Sequence, residues 1–345
     1  MNPPRPDFRL LIRSANWVGD AILSLPALAA IRRRYPRAEI TMLAKPWVAP
    51  IYEHLPVVDR IHIYDAAGRH QGVRGLLRLC RELRAEAFDV GISIQNAFEA
   101  ALILWLSGIP IRIGYAADGR SALLTHRVYR TADIGKLHQA DYYLRMIQGV
   151  GIPAPGQKPV LSVSREEQQW AEVFLSSVKA DGREIIGINP GAAFGTAKRW
   201  FPERFAELCR RLASTGLRTF LLFGSPSEAG LGEEIRVRVG ENCVNCCGRT
   251  TLREAFALIE RCRVFITNDS GLMHAAAALQ VPVIAIFGPT RLTTTPLGTT
   301  SRVIRVPVPC GPCMQPHCLL DHRCMDAVSV DMVLSETRAL LDGLS

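Results

Sequence analysis

The stretch VFITNDSGLMHAAAALQVPVIAIFGPT, Val264 to Thr290, decides the architecture. Val264 to Thr267 is a short, unbroken run of β-branched and aromatic residues, the pattern of a strand buried on both faces. An Asp-Ser-Gly turn follows and opens an apolar helix, and Val281 to Thr290 is a second buried strand ending in another glycine turn. Strand, helix and strand in that order make a βαβ unit with parallel strands. The free N–H groups of the helix's first turn and the Ser270 hydroxyl then point at one spot on the carboxyl edge of the sheet. Open α/β sheets bind ligands at that edge, and such a spot suits a phosphate. Read alone, Asp269 could simply cap the helix.

The same alternation runs through the rest of the chain. In the first half Phe8 to Arg13, Glu39 to Ala44, Ile61 to Asp65 and Phe88 to Ile94 read as strands, with helices over Gly19 to Tyr35 and Val73 to Glu86. The segment GIPAPGQKP, Gly151 to Pro159, is dense in proline and glycine and reads as a linker. Beyond it a second round begins: strands over Arg183 to Gly191 and Leu217 to Gly224, and helices over Phe201 to Ser214, Ser227 to Val239 and Thr251 to Cys262. A final amphipathic helix spans Ser329 to Gly343, capped by Ser329 or Asp331. The expectation is an α/β fold of two Rossmann-like domains facing across a cleft, over residues 1–155 and 156–327, with a C-terminal helix at 328–345. The chain's 345 residues, 48% of them hydrophobic, suit two such domains with parallel strands buried on both faces.

Composition narrows the function. The net charge of +9 is uneven: residues 1–160 carry 21 Lys+Arg against 13 Asp+Glu, and the remainder carries 20 against 19. A basic first half fits an anionic partner such as nucleic acid, a phosphorylated glycan or an acidic membrane surface. Aromatic residues make up only 7% of the chain and the arginines are scattered, which argues against nucleic acid. Apolar runs such as Ala100 to Leu106 are too short to span a bilayer, and the N-terminal MNPPRPDFRLLIR lacks a signal peptide's apolar core. A cytoplasmic protein is expected, its ten cysteines serving as thiols or metal ligands instead of a disulfide framework. Neither a GxGxxG fingerprint after a first strand nor a GxxxxGK[ST] loop is present, so any nucleotide must be held another way.

Several residues fall where chemistry is expected. Asp20 lies in the first turn of the helix after the first strand, where the helix N-terminus favours its ionised form; it is the candidate general base. INPGAAFGTAKRWFPERF, Ile188 to Phe205, is a small-residue turn after a strand, open enough to admit a diphosphate, with Lys198 placed to neutralise charge on it. Glu228 follows another strand and could accept hydrogen bonds from ribose hydroxyls, or serve only its own helix. Cys310, Cys313, Cys318 and Cys324 lie in CGPCMQPHCLLDHRCM with His317 and His322 between them. They could close a tetrahedral metal site, form a redox pair or remain thiols in a packed loop. CVNCC, Cys243 to Cys247, falls on an expected strand as buried thiols.

Taken in order, RSANWVGDAILSLPAL, PGAAFGTAKRWFPERFAEL and FITNDSGLMHAAAALQVPVIAIFGPT resemble the ADP-heptose:lipopolysaccharide heptosyltransferases over nearly the whole chain. NWVGD and AKRW look like the members that add the second heptose. The resemblance implies a GT-B fold, with an acceptor domain followed by a nucleotide-sugar domain. It implies inverting, metal-independent transfer of L-glycero-D-manno-heptose from ADP-heptose to the first heptose of the inner core, with no cofactor. Asp20 then matches the base, Lys198 the diphosphate lysine and Glu228 the ribose contact. Asp269, Ser270, Gly271 and His274 match the donor-binding turn, with Thr196, Thr250 and Thr251 near it. The acceptor, bearing Kdo carboxylates and lipid A phosphates, would be gripped by basic residues of the first domain, with Arg120, Arg127, Arg130, Lys136 and His138 as candidates. A lipid acceptor implies work at the inner-membrane surface. Related cysteine-rich segments occur in such sequences. The alternatives are transfer of another heptose, a two-domain nucleotide-sugar epimerase, or a basic nucleic-acid-binding protein.

Overall fold

Two six-stranded sheets, each parallel throughout, organise the chain. In the computed structural model residues 7–131, 133–298 and 300–343 are described. They divide into two units, Met1–Pro159 and Val160–Ser345.

The first unit contains Arg9–Arg13 (β1), Glu39–Ala44 (β2), Arg60–Ile63 (β3), Val90–Ser93 (β4), Ile111–Tyr115 (β5) and His126–Val128 (β6). Their spatial order is β3-β2-β1-β4-β5-β6. The central strands are buried because their residues are apolar on both faces, as helices on both sides of a parallel sheet require. The winding direction reverses between β1 and β4, so the carboxyl ends of those strands bound the crevice in which such sheets place ligands. Gly91 on β4 lies under Leu104, whose methyl carbon would meet an added Cβ at 2.9 Å; the helix Phe98–Leu106 packs against the sheet this closely because the residue has no side chain.

The second unit contains Glu184–Asn189 (β7), Arg218–Leu222 (β8), Cys243–Asn245 (β9), Val264–Asn268 (β10), Val283–Ile286 (β11) and Ser301–Ile304 (β12), ordered β12-β11-β10-β7-β8-β9. Its reversal point lies between β7 and β10. The last helix, Val330–Asp342, belongs to this unit: Val333, Leu334, Leu340 and Leu341 join its core, and Ser329 is the cap, accepting from the Met332 N–H. Asp331 instead pairs with Arg211 at 2.7 Å. Among the described residues no helix is long and apolar enough to cross a membrane.

Several features depart from the sequence expectation. The helix read over Gly19 to Tyr35 is two, Val18–Leu23 and Leu25–Arg34, separated at Ser24; Pro26 enters the second helix at its first turn, where a missing N–H does no harm. The strands β5, β6 and β12 are additional: β6 and β12 are edge strands, β5 is the strand next to the edge, and each carries an arginine and partly exposed positions where a fully buried strand would show an apolar run. Helices over Phe98–Leu106, Gln139–Gln148 and Arg165–Ser177 are also present, the last opened by a Ser164/Glu167 capping box. Of CVNCC only Cys243 to Asn245 are strand; the thiols of Cys243, Cys246 and Cys247 are buried and pushed up to about 12 by that burial.

Candidate active site

At the reversal point of the second sheet, β7 and β10 each end in asparagine. The Asn189 amide donates to the Phe223 carbonyl at 2.8 Å. The Asn268 amide donates to the Pro190 carbonyl at 2.7 Å, and its oxygen accepts from the Trp200 N–H at 3.1 Å. These buried side chains tie the turns after β7, β8 and β10 into one rigid edge. The sequence reading passed over them, although matching asparagines ending two strands, before INPG and TNDSG, were a legible signal.

Across this edge the Lys198 ammonium lies 2.7 Å from an Asp269 carboxylate oxygen, which also accepts from the Thr290 hydroxyl at 2.7 Å. Lys198 is 15% exposed and Asp269 7% exposed at the side chain. Asp269 is therefore not the helix cap. Ser270 is, accepting from the Met273 N–H at 3.3 Å at the head of the helix Gly271–Ala278. Gly271 begins that helix, and His274 lies buried one turn further along it. A cation and a helix N-terminus thus lie on one sheet edge, an arrangement that can hold an anionic group.

Glu228 is buried and accepts from both the backbone N–H and the hydroxyl of Ser225 at 2.8 Å, with Arg199 at 3.5 Å on its other oxygen. Its contacts are those of a capping box as well as of a fixed acceptor at the sheet edge. Thr250 and Thr251 follow β9 on the same edge; the Thr251 hydroxyl is committed to capping Leu252–Glu260, accepting from the Glu254 N–H, while Thr250 is half-buried beside it. Thr196 is exposed, and its hydroxyl lies 3.1 Å from His317 Nδ1.

That last contact belongs to a larger one. The cysteine-rich segment is strapped onto the loop that carries Lys198: the Ala197 N–H donates to the Pro316 carbonyl at 3.0 Å, and His322 Nε2 donates to the Ala197 carbonyl at 2.7 Å. Gly195 has φ +151°, and an added Cβ would lie 2.1 Å from the Pro316 oxygen. Gly195→Ala is expected to push the strap off the loop, costing about 1–3 kcal/mol, and to weaken about tenfold, in calorimetry, binding of the ADP that the sequence resemblance implies. Unchanged affinity would mean that the strap does not position Lys198. Cys310, Cys313, Cys318 and Cys324 are free thiols lining a cavity of about 260 Å³. Among the described residues no three His, Cys, Asp or Glu side chains are gathered closely enough to hold a metal ion.

In the first unit Asp20 occupies the first turn of the helix after β1, half-buried. The Tyr143 hydroxyl donates to its Oδ1 at 3.1 Å and lies 3.0 Å from the Gln139 amide nitrogen. Burial, then the Asp20 charge, raise the Tyr143 pKa well above the usual tyrosine value, so the hydroxyl stays a donor.

The proposed acceptor cations separate into different kinds. Arg127, Arg130 and Lys136 are exposed. Arg120 is not a surface grip: it is wholly buried, donating to the Tyr115 and Gln95 carbonyls and to Asn96 at 2.6–2.8 Å, so it braces the ends of β4 and β5. His138 caps the helix Gln139–Gln148. The sequence reading missed a buried pair on the same edge, Arg13 and Lys45, the last residue of β1 and the first beyond β2. A lysine directly after a buried strand was the available signal.

The family model described as glycosyltransferase family 9 (heptosyltransferase) matches residues 76–323. The lipopolysaccharide heptosyltransferase 2 of Salmonella typhimurium is 33% identical, over 86% of this chain and 88% of its own. The lipooligosaccharide heptosyltransferase 2 of Haemophilus influenzae is 35% identical over the same shares. The solved structure of the Escherichia coli ADP-heptose lps heptosyltransferase II superposes with a TM-score of 0.82 at 31% identity, covering 97% of this chain and 99% of that one.

Proposed function

The chain belongs to glycosyltransferase family 9, the heptosyltransferases, and from that premise we propose how its residues carry out heptosyl transfer in lipopolysaccharide core assembly. The fold is GT-B, two Rossmann-like units, and the enzyme is a glycosyltransferase. The donor is ADP-heptose and the acceptor the inner-core glycan ending in its first heptose, the reading that the heptosyltransferase 2 relatives favour.

Asp20 takes the proton from the acceptor hydroxyl as that oxygen forms a bond to the anomeric carbon of the donor. The bond from that carbon to the diphosphate oxygen breaks, ADP leaves from the opposite face, and the configuration inverts. Lys198 neutralises the charge that accumulates on the departing diphosphate, and the N–H groups heading Gly271–Ala278 share it. Glu228, held in place by Ser225, meets the ribose hydroxyls. The observation that carries the donor assignment is the Lys198–Asp269 pair at the sheet's reversal point. In the resting protein the lysine has a counterion it can exchange for a diphosphate. The lipid-linked acceptor and the basic first half suit an enzyme working at the cytoplasmic face of the inner membrane.

The test is ADP release from ADP-heptose with two acceptors, Kdo-lipid A bearing one heptose and Kdo-lipid A without it. Release only with the heptose-bearing acceptor is the expected result. Release with the heptose-free acceptor reassigns the enzyme to the first transfer, and silence with both overturns the donor or acceptor assignment.

A further inference from the structure

At the carboxyl edge of the first sheet, Lys45 is 7% exposed and Arg13 2% exposed. Both cations lie against one ring: the Lys45 ammonium is 3.5 Å and the Arg13 guanidinium carbon 5.4 Å from the centroid of Tyr64. The Lys45 ammonium makes no hydrogen bond or ion pair with any described residue. Arg13 spends its terminal nitrogens on the Ser14 and Leu43 carbonyls and the Asn16 side chain, and its buried Nε has no hydrogen-bond partner among the described residues. The acids that face Lys45 are Glu99, already engaged by the Tyr64 hydroxyl, and Asp65. Burial, with Arg13 beside it, lowers the pKa of Lys45, as expected of a charge that lacks a close counterion.

A buried ammonium without an ion pair and a buried guanidinium nitrogen without an acceptor both cost stability. A ring face offsets only part of this. An oxyanion within reach of both would satisfy them. The site adjoins the helix that carries Asp20, since β1 and β2 are neighbours, and Trp47 stands exposed beside it with its indole N–H bonded to the Asn16 carbonyl at 2.9 Å. An exposed indole next to a buried cation suits a sugar that bears an acidic group.

We propose that Lys45 and Arg13 form the subsite that receives an anionic group of the acceptor, a sugar-acid carboxylate or a phosphate, and so contribute binding of the acceptor. The proposal rests on the heptosyltransferase reading for the identity of the acceptor.

Lys45→Met keeps the length of the side chain and removes the charge. It is expected to raise the acceptor KM about 10- to 100-fold, the scale of a lost charge-assisted contact, with donor KM and kcat within about twofold. Lys45→Arg should restore most of the loss. The melting temperature without substrate should stay the same or rise, because an unpaired buried charge is gone. Acceptors with esterified carboxylates and acceptors stripped of phosphate identify the group: on the acceptor lacking it, wild type and Lys45→Met become equal. An unchanged acceptor KM, or a fall in melting temperature with donor and acceptor constants moving together, overturns the proposal. Calorimetric binding of the acceptor to both proteins decides the same question without turnover, so an inactive wild type would sink the functional reading and leave this test standing.

Discussion

Asp20→Asn is expected to lower kcat for heptosyl transfer by about 10²- to 10⁴-fold, the range that positioned general bases supply, with the fold intact. The substitution is nearly isosteric and keeps an oxygen for the Tyr143 hydroxyl to donate to, so the 3.1 Å contact to the helix Gln139–Gln148 survives. What disappears is the ability to take a proton. A carboxylate within the first turn of Val18–Leu23 is stabilised by that helix's N-terminus, and an uncharged amide gains nothing there. ADP binding, which the proposed function assigns to the second unit, should be unaffected in calorimetry, and the melting temperature should move by no more than about 2 °C. A variant retaining a tenth of wild-type kcat would reduce Asp20 to a residue that anchors Tyr143, and the base would have to be sought elsewhere on the same sheet edge. Tyr143→Phe then separates positioning from chemistry: it leaves the carboxylate in place and should cost far less than Asp20→Asn.

The strands and helices that carry chemistry were legible because they obey strong local rules. Val264 to Thr267 and Val283 to Ile286 are apolar on both faces, and Gly72–Ala85 repeats its leucines at helical spacing. The edge strands were not, since His126–Val128 and Ser301–Ile304 are held by one neighbour and bury little, and their pairing is decided by the sheet they join. The candidate site shows the same division. Asp20, Lys198, Glu228 and Asp269 each follow a strand and could be placed from order alone. What each side chain does there depends on partners far away in sequence. Asp269 pairs with Lys198 and Ser270 takes the cap; Arg120 looks like any surface arginine until Tyr115, Gln95 and Asn96 close around it. The cysteine-rich segment is the extreme case: nothing in its spacing says that Pro316 and His322 grip the backbone of Ala197.

That grip gives the Lys198 loop a fixed position, and it makes Lys198 the second residue whose loss should be severe. Lys198→Ala is expected to reduce kcat/KM for the donor by about 10²- to 10³-fold, comparable with removing one oxyanion-stabilising donor, and to weaken ADP binding. It also breaks a largely buried ion pair, leaving Asp269 with the Thr290 hydroxyl as its remaining contact of the two. Orphaning a carboxylate in this way costs about 3 kcal/mol, the lower part of the range for buried pairs because Lys198 still reaches solvent. Lost stability alone could therefore imitate a catalytic defect, and the double variant Lys198→Ala/Asp269→Asn resolves it. Asparagine removes the uncompensated charge and keeps an oxygen for Thr290, so the melting temperature should recover by several degrees. Transfer should remain at the level of Lys198→Ala, since no cation faces the departing diphosphate. If activity returns together with stability, Lys198 serves the turn and not the leaving group, and the charge on ADP must be met by the helix N-terminus at Gly271 alone.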